Sequence, residues 1–262
     1  TYTAILEPPL TAGTDLPAGA GWGTVKVDAK GKMLLTGKLA DGTPFTSAAS
    51  PDIAPKPGYR LFMQPYIPVR KESYLAGNFT LLPHSRQIGR SYVADSSLNW
   101  VKLGQTKDVG YRPGFGPMTT RLILDPWQPP NPTISLATRL ELGAGGRWEV
   151  EHGDTGSSSD GRLPTLVSIS STNLVSVTNP QANSQKWKMA LTPATGTFTG
   201  SFELLDGIEA RKVNFSGILR QPPTTMDDLI GGGHYLLPAL KNAATNEVRS
   251  GLILFWRAQS AP

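Results

Sequence analysis

Apolar positions along this chain recur at every second residue far more often than at every third or fourth. In "GTVKV", Val25 and Val27 alternate with Thr24 and Lys26, and "DAKGK" follows before a second run through Leu34. Such alternation, bounded by turn residues, predicts strands with one buried face. Asp41-Gly42 then marks a tight hairpin turn, because both residue types tolerate positive φ. The pattern returns late in the chain. Trp187, Met189 and Leu191 alternate before "TPATG", Phe198 and Phe202 come back, Asp206-Gly207 turns again, and Val213 and Phe215 leave. Helical periodicity is nearly absent. The segment "MDDLIGGGHY", after a Thr224-Thr225 cap, reads as one helical turn ended by three glycines.

The two ladders share more than their period. "TGKLADG" (Thr36 to Gly42) matches "TGSFELLDG" (Thr199 to Gly207), "GYRLFMQPYI" matches "GHYLLPAL", and "YLAGNFTLL" matches "RSGLILFW", all in the same order. Gly37 precedes Gly77 by 40 residues while Gly200 precedes Gly251 by 51, so the second copy is expected to hold an insertion. The expected fold is all-β: two related antiparallel meander domains, small barrels or sandwiches, produced by internal duplication. The boundary falls in "DPWQPPNP" (Asp125 to Pro132), whose four prolines cannot continue a central strand and favour an extended spacer. The domains are then 1–125 and 126–262, with "HGDTGSSSDGRLP" (152–164) as a long exposed loop in the second.

Composition places the chain in a class. With 262 residues, 17% charged and 39% apolar, it is long enough and apolar enough to bury a core in each domain. Its 28 glycines and 23 prolines are spread along the length and read as frequent turns. No apolar run reaches the 18 residues of a membrane-spanning helix, and no signal segment opens the chain, so "TYTAILEPPL" reads as the start of a mature or excised fragment. The absence of cysteine excludes disulfides, thiol nucleophiles and thiolate metal sites. Together with abundant Thr, Ser, Gly and Pro, it points to an extracellular setting. Residues 1–125 carry 14 Lys/Arg against 9 Asp/Glu, and residues 126–262 carry 11 of each. The basic excess groups loosely around Arg60, Arg70, Lys71, Arg86 and Arg90, too dilute for a nucleic-acid groove, and reads as solvated surface.

The segments "YTAILEP", "GWGTVKVDAKGKMLLTGKLADGTPF", "LNWVK" with "GYRPGF", and "LTPATGTFTGSF" with "GHYLLP" carry a resemblance that covers most of the chain. They are similar to a β-rich module near the C-terminal ends of large secreted bacterial proteins with Ig-like or other repeats. The resemblance implies a cell-surface or extracellular appendage whose partners are other domains or subunits of a surface protein. It brings no catalytic residues.

Chemical motifs are sparse. No Gly-x-Ser-x-Gly elbow occurs, and "DTGSSSDG" lacks the second loop that an aspartic dyad needs. Glu149 and Glu151, two apart on a strand, share one face, but with Glu141, His152 and Asp154 nearby they read as a charged solvent face. An enzyme would require at least two ionisable groups converging in one pocket, for instance one of these glutamates with His152. His84, His152 and His234 have no metal-ligand spacing, and Asp154 and Asp160 lack the ladder of a calcium loop. "GGGH" (Gly231 to His234) is no phosphate loop. No cofactor, metal or catalytic residue is expected. Aromatics give the one hint of a ligand. Trp22, Trp100, Trp148, Trp187 and Trp256 fall in strand patterns and read as packing, whereas Trp127 sits among prolines and Tyr111, Arg112 and Phe115 occupy the turn-rich "GYRPGFGP". Exposed, coplanar rings beside a guanidinium would stack on a polysaccharide; buried, they would form a lid or an interdomain contact. The expected role is a non-catalytic structural or binding module, with carbohydrate binding as the alternative.

Overall fold

In the computed structural model of the chain, placement is described for residues 1–8, 15–52, 58–65, 72–83, 92–105, 110–142, 145–151, 165–179, 181, 183–206, 209–221, 229–239 and 247–257. The first eight strands are β1 (Tyr2–Glu7), β2 (Gly21–Val27), β3 (Met33–Lys38), β4 (Pro44–Asp52), β5 (Gly58–Met63), β6 (Tyr74–Pro83), β7 (Tyr92–Leu103) and β8 (Gly114–Pro126). Each pairs with the next, antiparallel, and β1 pairs with β8 from Tyr2↔Pro126 to Glu7↔Arg121, so the sheet closes on itself. Period-2 alternation turns Val25, Met33, Leu35, Phe45, Leu61, Leu75, Phe79, Leu98, Trp100 and Leu122 inward, where all are buried. Lys26, Thr36, Arg60, Asn78, Asn99 and Thr119 face out and are exposed. An eight-stranded barrel is just narrow enough for such side chains to fill.

A single helical turn, α1 (Leu136–Arg139), separates this barrel from the remaining strands. Ser135 caps it by accepting from the Thr138 N–H. The second set is β9 (Gly146–Glu151), β10 (Thr165–Ile169), β11 (Val175–Val177), β12 (Lys188–Thr192), β13 (Thr197–Asp206), β14 (Glu209–Leu219), β15 (Leu229–Leu237) and β16 (Arg249–Arg257). Its order, β11-β10-β9-β16-β15-β14-β13-β12, is again an eight-stranded meander whose first and last strands pair, Ile253 opposite Val150. It is nearly closed, lacking a ladder only between β11 and β12. Trp187, Phe198, Phe202, Phe215, Tyr235 and Phe255 fill it, and Trp127, Leu136 and Leu140 pack into the same cluster.

The architecture is therefore all-β with two meander domains, as the alternation implied. The repeated Thr-Gly has a physical role in both barrels. Gly37 stands opposite Phe45 across β3–β4 and Gly200 opposite Phe215 across β13–β14, and a Cβ at Gly37 would collide with the Trp22 carbonyl and Gly23 of β2. At Gly200 a Cβ would collide with the Phe215 ring and the Lys188 carbonyl. The matched segments do not hold the same ordinal place. β3 is the third strand of its barrel and β13 the fifth of the other; β5 with β15 and β6 with β16 carry the same two-strand offset.

One expectation is corrected. Leu229 to Tyr235 are not the end of a helical turn but most of β15. This strand is buried on both faces, so its composition carries no period-2 signal. Residues 222–228 lie outside the described residues, as do the Gly207 turn position and the 152–164 loop.

Candidate functional site

A convergence of ionisable and aromatic groups lies where the two barrels meet. It begins with a lysine at an inward position. Leu98, Trp100 and Lys102 are successive inward residues of β7, so the ammonium of Lys102 is carried into the mouth of the first barrel. There its Nζ donates to Asp41 Oδ2 and to the Gly110 carbonyl, both at 3.1 Å. The two side chains are 4% and 0% exposed. Asp41 also accepts the Thr43 N–H through Oδ1, which shapes the β3–β4 turn around Gly42 at φ 85°.

Gly110 opens the loop that held three of the expected ligand-binding residues. It bridges to Val248 in the second barrel, and Tyr111 adopts φ 52°, which swings its ring across the joint. The Tyr111 hydroxyl accepts the Ser250 N–H at 2.9 Å and lies 3.1 Å from Ser250 Oγ. Burial pushes this phenol above its ordinary range, partly offset by the two Ser250 bonds. Phe115 stands edge-on to both Tyr111 (5.7 Å) and Trp100 (4.8 Å). Arg112 is exposed at the outer side, its carbonyl accepting from Gln105 N–H.

A second contact runs along the barrel walls. Ile5, Ala20 and Ile218 form a small buried cluster with Trp22 and Leu252 beside it. Trp22 Nε1 donates to Ser216 Oγ at 3.1 Å, and the Ala20 N–H donates to the Gly233 carbonyl. His234 Nδ1 lies 3.0 Å from the Ala20 carbonyl, which can only accept, so the neutral ring carries its proton on Nδ1. Burial lowers this histidine to about 4; the Ala20 bond and Asp41 act in the opposite direction, and Lys38 adds to the lowering.

Trp127 closes the third contact. It is 4% exposed, with its indole N–H donating to the Pro193 carbonyl at 3.1 Å and its ring lying against Gly196 at φ 76°. The proline-rich segment beside it is stitched down rather than spanning solvent. Arg220 Nε donates to Asp125 Oδ2 at 2.5 Å, and Gln128 and Gln221 exchange backbone–side-chain hydrogen bonds. Trp127 and the Tyr111–Phe115 loop thus lie at separate contacts, and neither Trp127 nor Tyr111 offers an exposed ring face.

Other sequence candidates are placed as follows. Glu149 is buried, paired through Oε1 with Arg147 Nε at 3.2 Å, and its Oε2 has no hydrogen-bond partner. The Glu151 side chain, His84, His152, Asp154, Asp160, Arg70, Lys71, Arg86 and Arg90 lie outside the described residues. Among those described, no three His, Asp or Glu side chains group as metal ligands. A cavity of about 10 Å³ at the first barrel's mouth, walled by Leu6, Leu39, Leu75, Trp100 and Met118, is room for one water at most. Among the described residues no helix is long and apolar enough to cross a membrane. Sequence reading missed Lys102, Ser250 and Arg220. Lys102 carried a usable signal, two residues beyond Trp100 in an inward phase; the other two did not. Comparison with protein-family models, curated proteins and solved structures finds no match.

Proposed function

We propose that this chain is a non-catalytic structural or binding module of a larger secreted bacterial protein, serving adhesion, surface anchoring or assembly. The observation that supports it is the use of the chain's ionisable and loop-aromatic residues. Lys102 is neutralised by Asp41 at the first barrel's mouth, and His234 is occupied by Ala20, Tyr111 by Ser250 and Trp127 by Pro193 in contacts that join the two filled barrels. Nucleophile, base and substrate space are not brought together there. Outward residues and loop tips are left to make contacts with partners. The unpaired edges of β11 and β12 add a place where a strand of another subunit could pair.

The test is a titration of the labelled protein onto bacterial envelope fragments, run beside chromogenic ester, glycoside and phosphoester substrates. Saturable binding with no turnover is the expected result. Turnover that co-purifies with the protein and disappears on substitution of Glu149 or His234 would overturn the non-catalytic reading.

A further inference from the structure

The most exposed aromatic ring among the described residues is not in a loop. Phe62, on β5, is 56% exposed on the outer wall of the first barrel. Cross-strand register fixes its neighbours, because residues directly opposite share a face. Phe62 pairs with Ala76, Ala76 with Asn99, and Asn99 with Thr119; one step along, Arg60 pairs with Asn78. Tyr74, two residues before Ala76, faces the same way. Its ring is 6.3 Å from that of Phe62 with 24° between the planes.

We propose that this face binds a neutral sugar ring of a polysaccharide, with Phe62 as the stacking surface, Tyr74 as its support, and Asn78, Asn99 and Thr119 as hydroxyl partners. Five features select that occupant. The apolar spot is ring-sized: half of a phenylalanine's roughly 200 Å², against the few hundred Å² of a protein-docking patch. Tyr74 holds the Phe62 ring nearly parallel to its own, so little rotamer freedom is lost on binding. Ala76 leaves the space beside the ring low and open towards Asn99. The flanking groups are chiefly amides and a hydroxyl, which both donate and accept as sugar hydroxyls do. Arg60 is the one cation in these two rows, where a single-stranded nucleic acid would need a basic track beside its stacking rings.

The inference rests on the reading of the chain as a binding module and moves carbohydrate recognition from the loops to the barrel wall. The experiment is affinity gel electrophoresis of the full chain in β-glucan, xylan and galactomannan gels. Phe62→Ala, Asn99→Ala and Trp127→Phe are run alongside, with melting curves for each and polyuridylic acid as the anionic control. At least one neutral polysaccharide should retard the wild type. Phe62→Ala should weaken that retardation at least about tenfold, equivalent to 1.4 kcal/mol, without moving the melting temperature, and Asn99→Ala should weaken it less. No retardation of the wild type, retardation unchanged in Phe62→Ala, or stronger binding to polyuridylic acid would each overturn the proposal. Release of reducing ends in the same incubations would count against the non-catalytic reading instead, leaving the site assignment to stand or fall on Phe62.

Discussion

The two barrels reach nearly the same shape by different means. In the first, β1 and β8 complete the ring with a ladder running from Tyr2 to Glu7, and the interior is mainly Leu, Met and Ala. In the second, the ladder stops at β11, a strand of three residues, and resumes at β12. The segment leading into β12 is tied down by a side chain. Asn183 accepts the Trp187 N–H at 2.7 Å and donates to the Trp187 carbonyl at 3.2 Å, as a neighbouring strand would. The Trp187 ring then stacks on Phe202 at 4.6 Å, in the core of the second barrel. Larger rings fill what backbone pairing does not draw tight. The first barrel has its own weakness, an ion pair at its mouth, where a completed ring of strands leaves room for Lys102 and Asp41.

The sharpest way to break this comparison is to strike the first barrel at that pair. Lys102→Met would leave the Asp41 carboxylate buried without its cation, a change that typically costs about 3–5 kcal/mol. In calorimetry the first barrel should then melt separately and earlier; an unmoved single transition would show that the pair is not structural. Acid should act next, on the joint. The folded-state value of His234 lies below its unfolded value, so the unfolded chain binds the extra proton. Stability is unaffected by this group above about pH 6.5, falls as pH drops, and levels off below about 4, for a total of about 3 kcal/mol. Urea melts of wild type and His234→Gln across that window should converge as pH falls.

A smaller effect is expected from Tyr111→Phe. It removes the oxygen that takes the Ser250 N–H and should cost about 1–3 kcal/mol. The barrels should uncouple before either core melts, visible as two calorimetric transitions. The smallest effect belongs to Asn183→Ala, about 1 kcal/mol. It should speed hydrogen exchange in β12 while leaving β1–β8 untouched. Equal exchange in both barrels would mean that the start of β12 is not held by this side chain.

How much could be read in advance depended on which surfaces each strand buries. The strands β3, β4, β12 and β13 and the first half of β14 have one face in a core and one mostly in water, so their alternation was plain. β15 lies between its own core and the other barrel, and its run of Ile, Gly, His and Tyr lost the period. The repeat was legible as local likeness but not in its rotation. Every hairpin of a meander is locally equivalent, so Gly37–Phe45 and Gly200–Phe215 look alike whichever rung they occupy. Tyr111 and Trp127 stood out in turn-rich sequence, yet their partners did not. Ser250 is 139 residues beyond Tyr111 and Pro193 is 66 beyond Trp127, and closure of two barrels is what brings them together. Phe62 drew no attention because an outward aromatic in a strand is, by pattern alone, an ordinary residue.

The placement of β1 has a mechanical meaning. It is hydrogen-bonded to β2 on one side and β8 on the other, its Ile5 is buried against the second barrel, and the Thr1 carbonyl accepts the Trp127 N–H. Antiparallel ladder bonds run perpendicular to the strand. A pull applied at Thr1 along the strand therefore loads both ladders in shear, all their bonds at once, instead of peeling them singly. Tension entering there is passed to both barrels together, through the two ladders and the Ile5 contact.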